Sequence, residues 1–160
     1  MTRVLPRVPL DATQEADLRE RVLAYLATYP GPALIMTRGL DGAPRYRLMG
    51  VRRDGFKPYL VSIKPSTKLA ELQANPEVSI LWYRYDANDA QSDQPLRLVS
   101  ITGHAELVMN PAGIRAFPGH DQAMDDEELE RSRFGAIVHP KTVRVEGFFP
   151  GPRYPIFLKP

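Results

Sequence analysis

The stretch "ALIMTRGLDGAPRYRLMGVRRDGFKPYLVSI", residues 33–63, decides the fold. Its first part, "ALIMTR" (33–38), is apolar and partly β-branched, which suits a strand. "LDGAP" (40–44) reads as a hairpin turn, because Gly42 is free to take positive φ. "RYRLMGVR" (45–52) alternates, so Tyr46, Leu48 and Gly50 share one face and Arg45, Arg47, Met49 and Val51 share the other. "RDGFK" (53–57) is a second turn and "PYLVSI" (58–63) a third strand. Three strands joined by two tight turns predict an antiparallel meander.

Upstream, a helix is expected from about Asp11 to Tyr29, capped by Asp11 or Thr13. Leu18, Val22, Tyr25, Leu26 and Tyr29 lie at helical spacing and form its buried stripe. "YPGP" (29–32) ends it, since proline cannot continue the backbone ladder. Downstream, "IKPSTKLAEL" (63–72) passes from strand to a short helix. Ser66 or Thr67 caps that helix, Leu69 and Leu72 face inward, and "NP" (75–76) stops it.

"EVSILWYRY" (77–85) is a fourth strand, "DANDAQSDQ" (86–94) a polar loop, and "LRLVSITGHAELVM" (96–109) a long fifth strand with a bend near Gly103. "NPAGIRAF" (110–117) is a short helix. "DDEELERSRFGAI" (125–137) is expected to be helical and solvent-facing, and "TVRVEGFF" (142–149) is a last strand. The pattern predicts one domain over residues 1–160, with an antiparallel barrel or sandwich over about 33–149 and an extended tail over 150–160. It is mainly β with peripheral helices, built on six antiparallel strands. No βαβα alternation, GxGxxG or Walker A pattern is present, which argues against a doubly wound nucleotide-binding sheet.

Composition agrees with an ordinary globular domain: 43% hydrophobic and 25% charged residues over 160 positions. The absence of cysteine excludes disulfides, thiolate metal sites and a cysteine nucleophile. The N-terminal "MTRVLPRVPLDATQEADL" has no continuous apolar core, so no signal peptide is expected. No run is apolar enough to cross a bilayer. A cytoplasmic protein with no membrane partner is expected.

Net charge is only +2, but it is unevenly placed. From Arg38 to Lys68 there are eight Lys/Arg against Asp41 and Asp54, a local charge of +6, and from Gly119 to Arg131 six acids face one base, a local charge of −5. A basic segment is either a solvated face or the seat of an anionic partner. The junction "STK" (66–68) sharpens the choice. A helix N-terminus offers free N–H groups and a partial positive charge, and Ser66, Thr67 and Lys68 add two hydroxyls and an ammonium. Lysine in a first turn opposes the helix dipole, so another role is expected for it. The simpler alternative is a helix cap beside a surface lysine. No His/Asp/Glu spacing suggests a metal site. No RRM, KH or OB signature accompanies the basic segment, so no nucleic-acid partner is expected.

Taken in order, "LDGAPRYRLMGV" (40–51), "YLVSIKPSTKLAELQANPEVSILWY" (59–83) and "VSITGHAELV" (99–108) resemble the FMN-binding split-barrel family, the pyridoxamine 5′-phosphate oxidase-like proteins. The resemblance covers about half the chain, from Ala33 to Val108, and its specificity lies in the order of the motifs. It implies a six-stranded antiparallel split β-barrel, usually a homodimer, with FMN in a groove at the dimer interface. It further implies that Arg47, Ser66, Thr67 and Lys68 hold the FMN phosphate, while Leu48, Met49, Ser62 and Ile63 line the isoalloxazine.

Trp82 and Tyr83 would stack near the flavin or extend the dimer face, with a core position the simpler reading for Trp82. His104 either approaches the flavin of a partner subunit or is a surface strand residue. Relatives also bind the deazaflavin F420 or haem. Arg52 and Arg53 would then meet the anionic tail of F420, and haem would need an axial histidine. The tail "FFPGPRYPIFLKP" lacks the arginine-rich signature of pyridoxal-forming oxidases. The expectation is therefore an FMN-dependent oxidoreductase of unassigned substrate, the alternative being a flavin binder without turnover.

Overall fold

A computed structural model describes residues 9–85, 96–120, 123–148 and 155–160. The expected loop over 86–94 and the first part of the tail, 150–154, lie outside the described residues.

Helix α1 spans Ala12–Ala27. Asp11 caps it by accepting from the Gln14 N–H, and the Gln14 side chain reaches back to the Asp11 N–H, a reciprocal capping box. Leu18, Val22, Tyr25 and Leu26 are buried, as their spacing predicts. Strands β1 (Ala33–Arg38) and β2 (Pro44–Met49) form the first hairpin, with Gly42 at φ 83° in its turn. Strands β3 (Arg52–Asp54) and β4 (Lys57–Ile63) form the second, with Gly55 at φ 57°.

The three-strand meander does not form. The expected second strand breaks at Gly50–Val51, and its halves pair at opposite ends of one sheet of order β2-β1-β5-β6-β7-β4-β3. In that order, β5 is Glu77–Tyr85, β6 is Leu96–Val108 and β7 is Arg133–Glu146. Every pairing is antiparallel. Two residues cannot bridge a flat sheet, since three Cα–Cα steps reach at most about 11 Å. The sheet must curl until its ends face each other without pairing. That is a split barrel, and with β2 and β3 counted as one interrupted strand it has the six expected strands.

Two other boundaries move. The helix expected over 125–137 stops early: α4 is Asp126–Ser132, and "RFGAI" already belongs to β7. Lys141 is an extra residue in β7, because Thr102 pairs with Thr142 while Gly103 pairs with Pro140. This bulge flips the inward parity from Phe134, Ala136 and Val138 to Val143 and Val145. It also gives Pro140 a place where a ladder N–H is not required. Gly103 lies opposite, where a Cβ would run into the His139 carbonyl. The tail adds β8 (Ile156–Leu158), paired to β7 with Leu158 in the core.

Inside the barrel, Ile35, Leu60, Val78, Ile80, Trp82, Val99, Ile101, Phe134, Ala136, Val138 and Val143 make the core, joined by the stripe of α1. Helices α2 (Thr67–Ala74) and α3 (Pro111–Arg115), with α4, pack outside. No helix among the described residues is long and apolar enough to cross a membrane.

Candidate functional site

The split in the barrel positions the site. On β2 the alternation runs opposite to ordinary amphipathicity: Arg45, Arg47 and Met49 turn inward and are half-buried, while Tyr46 and Leu48 are exposed. Ser62 turns inward on β4. Helix α2 begins beside both strands. Ser66 is its N-cap, accepting from the Leu69 N–H at 3.2 Å, and Leu72 anchors it in the core. Pro76 follows the C-cap Asn75 and ends it.

Polar bonds then tie the two edges of the split to the helix. Arg47 Nη2 donates to Glu71 Oε1 at 2.8 Å and to Thr67 Oγ1 at 3.4 Å. Its Nη1 donates to Thr37 Oγ1 at 2.7 Å, and Thr37 donates in turn to Glu71 Oε2 at 2.6 Å. Lys68 Nζ donates to Ser62 Oγ at 2.8 Å. The Arg47 hydrogen bond and that of Thr37 hold the Glu71 carboxyl below its ordinary value against the opposing pull of burial. Lys68 is pushed below its ordinary value, first by burial and then by the charge of Arg47, with Glu71 opposing.

The structure thus brings together Arg47, Ser62, Ser66, Thr67 and Lys68. Leu48 and Ile63, exposed at 67% and 56%, are the chain neighbours of Arg47 and Ser62, and the strand alternation turns them to the opposite, outer face. Met49 packs against the core. Trp82 does not join the cluster: it is 3% exposed in the barrel core. His104 is exposed on β6, in register with Glu77 and His139 on neighbouring strands, and has no bond to the cluster.

Sequence reasoning missed Thr37 and Glu71. Thr37 continues the inward face of Ala33 and Ile35, and Glu71 precedes the inward Leu72, so both are polar residues at buried positions. That mismatch was the available signal.

The basic segment is not an open patch. Arg38 donates to the Gly42 carbonyl at 2.9 Å and Arg45 to Asp41 at 2.7 Å. Arg52 donates to the Gly119 carbonyl at 3.0 Å, Arg53 to the Gly55 carbonyl at 3.5 Å and Lys64 to the Glu130 carbonyl at 2.8 Å. Lys57 lies 5.9 Å from the Tyr59 ring centre. What sets Lys68 apart is that it is half-buried beside a second cation, Arg47, with only a neutral hydroxyl as its hydrogen-bond partner. Such a group gains from an added anion.

No protein-family model matches the sequence, and no curated protein matches it. Solved structures do. The conserved hypothetical protein Rv2991 from Mycobacterium tuberculosis superposes with a TM-score of 0.65 at 21% identity, over 92% of this chain and 91% of that one. A Clostridium acetobutylicum protein related to general stress protein 26 of B. subtilis, of the pyridoxinephosphate oxidase family, gives 0.56 at 15% identity, over 92% and 96%. A protein named F420 reductase gives 0.51 at 21% identity, over 71% and 89%. The interrupted second strand, the curled sheet and these superpositions agree: the chain has the fold of the pyridoxamine 5′-phosphate oxidase-like split barrels.

Proposed function

We propose that this protein binds a flavin-type cofactor, FMN in the first instance, and serves as an oxidoreductase. The observation that carries the reading is the charge of the cluster at the split. Arg47 and Lys68 contribute +2 and Glu71 −1, which leaves +1 beside the first turn of α2. Lys68, the hydroxyls of Thr67 and Ser66, and the free N–H groups of that turn form a donor set suited to a phosphate. Leu48 and Ile63 carry exposed apolar surface on the outer face of β2 and β4. A bound flavin supplies hydride or single-electron transfer, and the chain's part is to hold and orient it. That division of labour requires no acid–base pair among the side chains.

The deazaflavin F420 is a second reading, favoured by the likeness to the fold of a protein named F420 reductase. Arg52 lends it no support, being bonded to the Gly119 carbonyl and the His120 ring. Haem finds no histidine bonded into the cluster among the described residues.

A homodimer fits the outer face of the sheet. Leu48, Leu34 and Leu81 lie in one row across β2, β1 and β5, and Tyr46 and Met36 lie in the next. With Tyr83, 51% exposed, they make an apolar patch of the kind a second copy covers. The patch runs up to Leu48, beside the cluster.

The test is the visible spectrum of the purified protein after incubation with FMN, or with F420, followed by gel filtration. Flavin bands should travel with the protein. Lys68→Ala should weaken FMN binding at least tenfold, the order expected for losing a charge-assisted bond, with the fold intact by circular dichroism. Wild-type affinity in that variant removes Lys68 from the site.

A further inference from the structure

Glu71 is the negative charge in a cluster otherwise suited to an anion, and both of its oxygens are already engaged. They accept from Arg47 at 2.8 Å and from Thr37 at 2.6 Å, while Thr37 also accepts from Arg47 at 2.7 Å. These bonds close a ring that links β1, β2 and α2. Glu71 is 4% exposed, so water does not screen it. The ring fixes the guanidinium with Nη2 turned toward Thr67 Oγ1. It also cancels one of the two positive charges.

We infer that Glu71 is a specificity-determining residue: it holds Arg47 in place and cancels one of the two positive charges, so that a dianionic phosphate monoester has about tenfold less advantage over a singly charged phosphate ester of similar size than the two cations alone would give it. The inference rests on the phosphate reading of the cluster given above, and adds to it the charge state of the ligand. Its physical basis is repulsion between the ionised, buried carboxylate and the second negative charge of a phosphate monoester. At an effective dielectric near 20 and a separation of about 10 Å, that repulsion amounts to roughly tenfold in affinity.

The experiment is isothermal titration of the full chain at pH 7.5 and fixed ionic strength with riboflavin, FMN and riboflavin 4′,5′-cyclic phosphate. The last is a phosphodiester with one negative charge. In the wild-type protein the cyclic ester should bind at least tenfold tighter than riboflavin, and FMN should exceed the cyclic ester by less than tenfold. Glu71→Gln removes a charge that repels both esters, so it should tighten both and raise the FMN-to-cyclic-ester affinity ratio about tenfold. Thr37→Val opens the ring without altering charge, so it should weaken both esters by the same factor and leave their ratio unchanged.

A wild-type preference for FMN over the cyclic ester of tenfold or more overturns the inference. So does an FMN-to-cyclic-ester ratio that Glu71→Gln fails to move. Either result leaves the phosphate reading standing, because both esters would still outbind riboflavin. If neither ester outbinds riboflavin, the phosphate reading itself fails and the inference falls with it. Should Glu71→Gln fail to fold, the wild-type ratio and the Thr37→Val ratio decide.

Discussion

Arg47 has two duties, and they separate in experiment. In the proposed site it is an anion ligand, and in the structure it is the cation that neutralises Glu71, whose side chain is 5% exposed. Arg47→Ala therefore leaves a buried carboxylate without its cation, a loss of about 3 kcal/mol. Chemical denaturation of Arg47→Ala with no cofactor added should show that loss. Adding Glu71→Gln to it should restore a good part, because the stranded charge is gone. Lys68→Ala should cost little by the same assay, since its partner is a hydroxyl.

The same pair gives a pH dependence. The folded-state value of Glu71 lies below its ordinary 4.5, held there first by Arg47. The ionised carboxylate thus favours the native state above about pH 4.5, and that stabilisation is lost as pH falls through the lowered folded value. Urea midpoints measured between pH 3 and 6 should fall with acid more steeply in the wild-type protein than in Glu71→Gln. Equal slopes would mean that Glu71 titrates alike in the folded and unfolded chain, so that Arg47 does not favour its ionised form.

At the scale of elements, Ser66 caps α2 and, in the proposed site, also stands among the phosphate donors. Ser66 Oγ accepts from the Leu69 N–H, which leaves its own O–H available to donate. Ser66→Ala should lower stability by about 1 kcal/mol, the usual cost of losing a cap, and weaken the cofactor only modestly. Equilibrium unfolding beside a cofactor titration reads both. Loss of affinity with unchanged stability would make Ser66 a ligand and not a cap.

How legible each element was depended on its periodicity. Strand β1, both hairpin turns, α1 and the start of α2 keep one period and carry their own punctuation, so residues 11–38 and 57–76 could be read directly. Strand β7 could not. Its inward parity changes at Lys141, and Pro140 looks like a break until the bulge opposite Gly103 is known. The helix-forming "EELER" also runs straight into "RFGAI", with no glycine or proline to mark where the period changes. The cationic half of the site was legible because Arg47 and "STK" break local rules. Thr37 and Glu71 stayed hidden because their partner lies on another strand.

For the whole molecule, the outer face of β2, β1 and β5 is where the proposed homodimer can be tested. Tyr46, Leu48 and Tyr83 are each more than half exposed, and register places Leu34, Met36 and Leu81 between them. Tyr46→Glu should convert a dimer to a monomer in sedimentation equilibrium, because a desolvated carboxylate in an apolar interface costs several kcal/mol unless paired. A wild-type monomer at micromolar concentration would refute the dimer.

Gly50 and Val51 join the two ends of the sheet. No ladder spans the gap there, so the covalent chain itself acts as a ruler, limiting how far the lips of the barrel can part where the link crosses. The aperture at that edge is therefore an inherited length, set by how many residues were placed between two strands. Lengthening that link changes the size of guest the mouth admits without requiring any interstrand hydrogen bond to break.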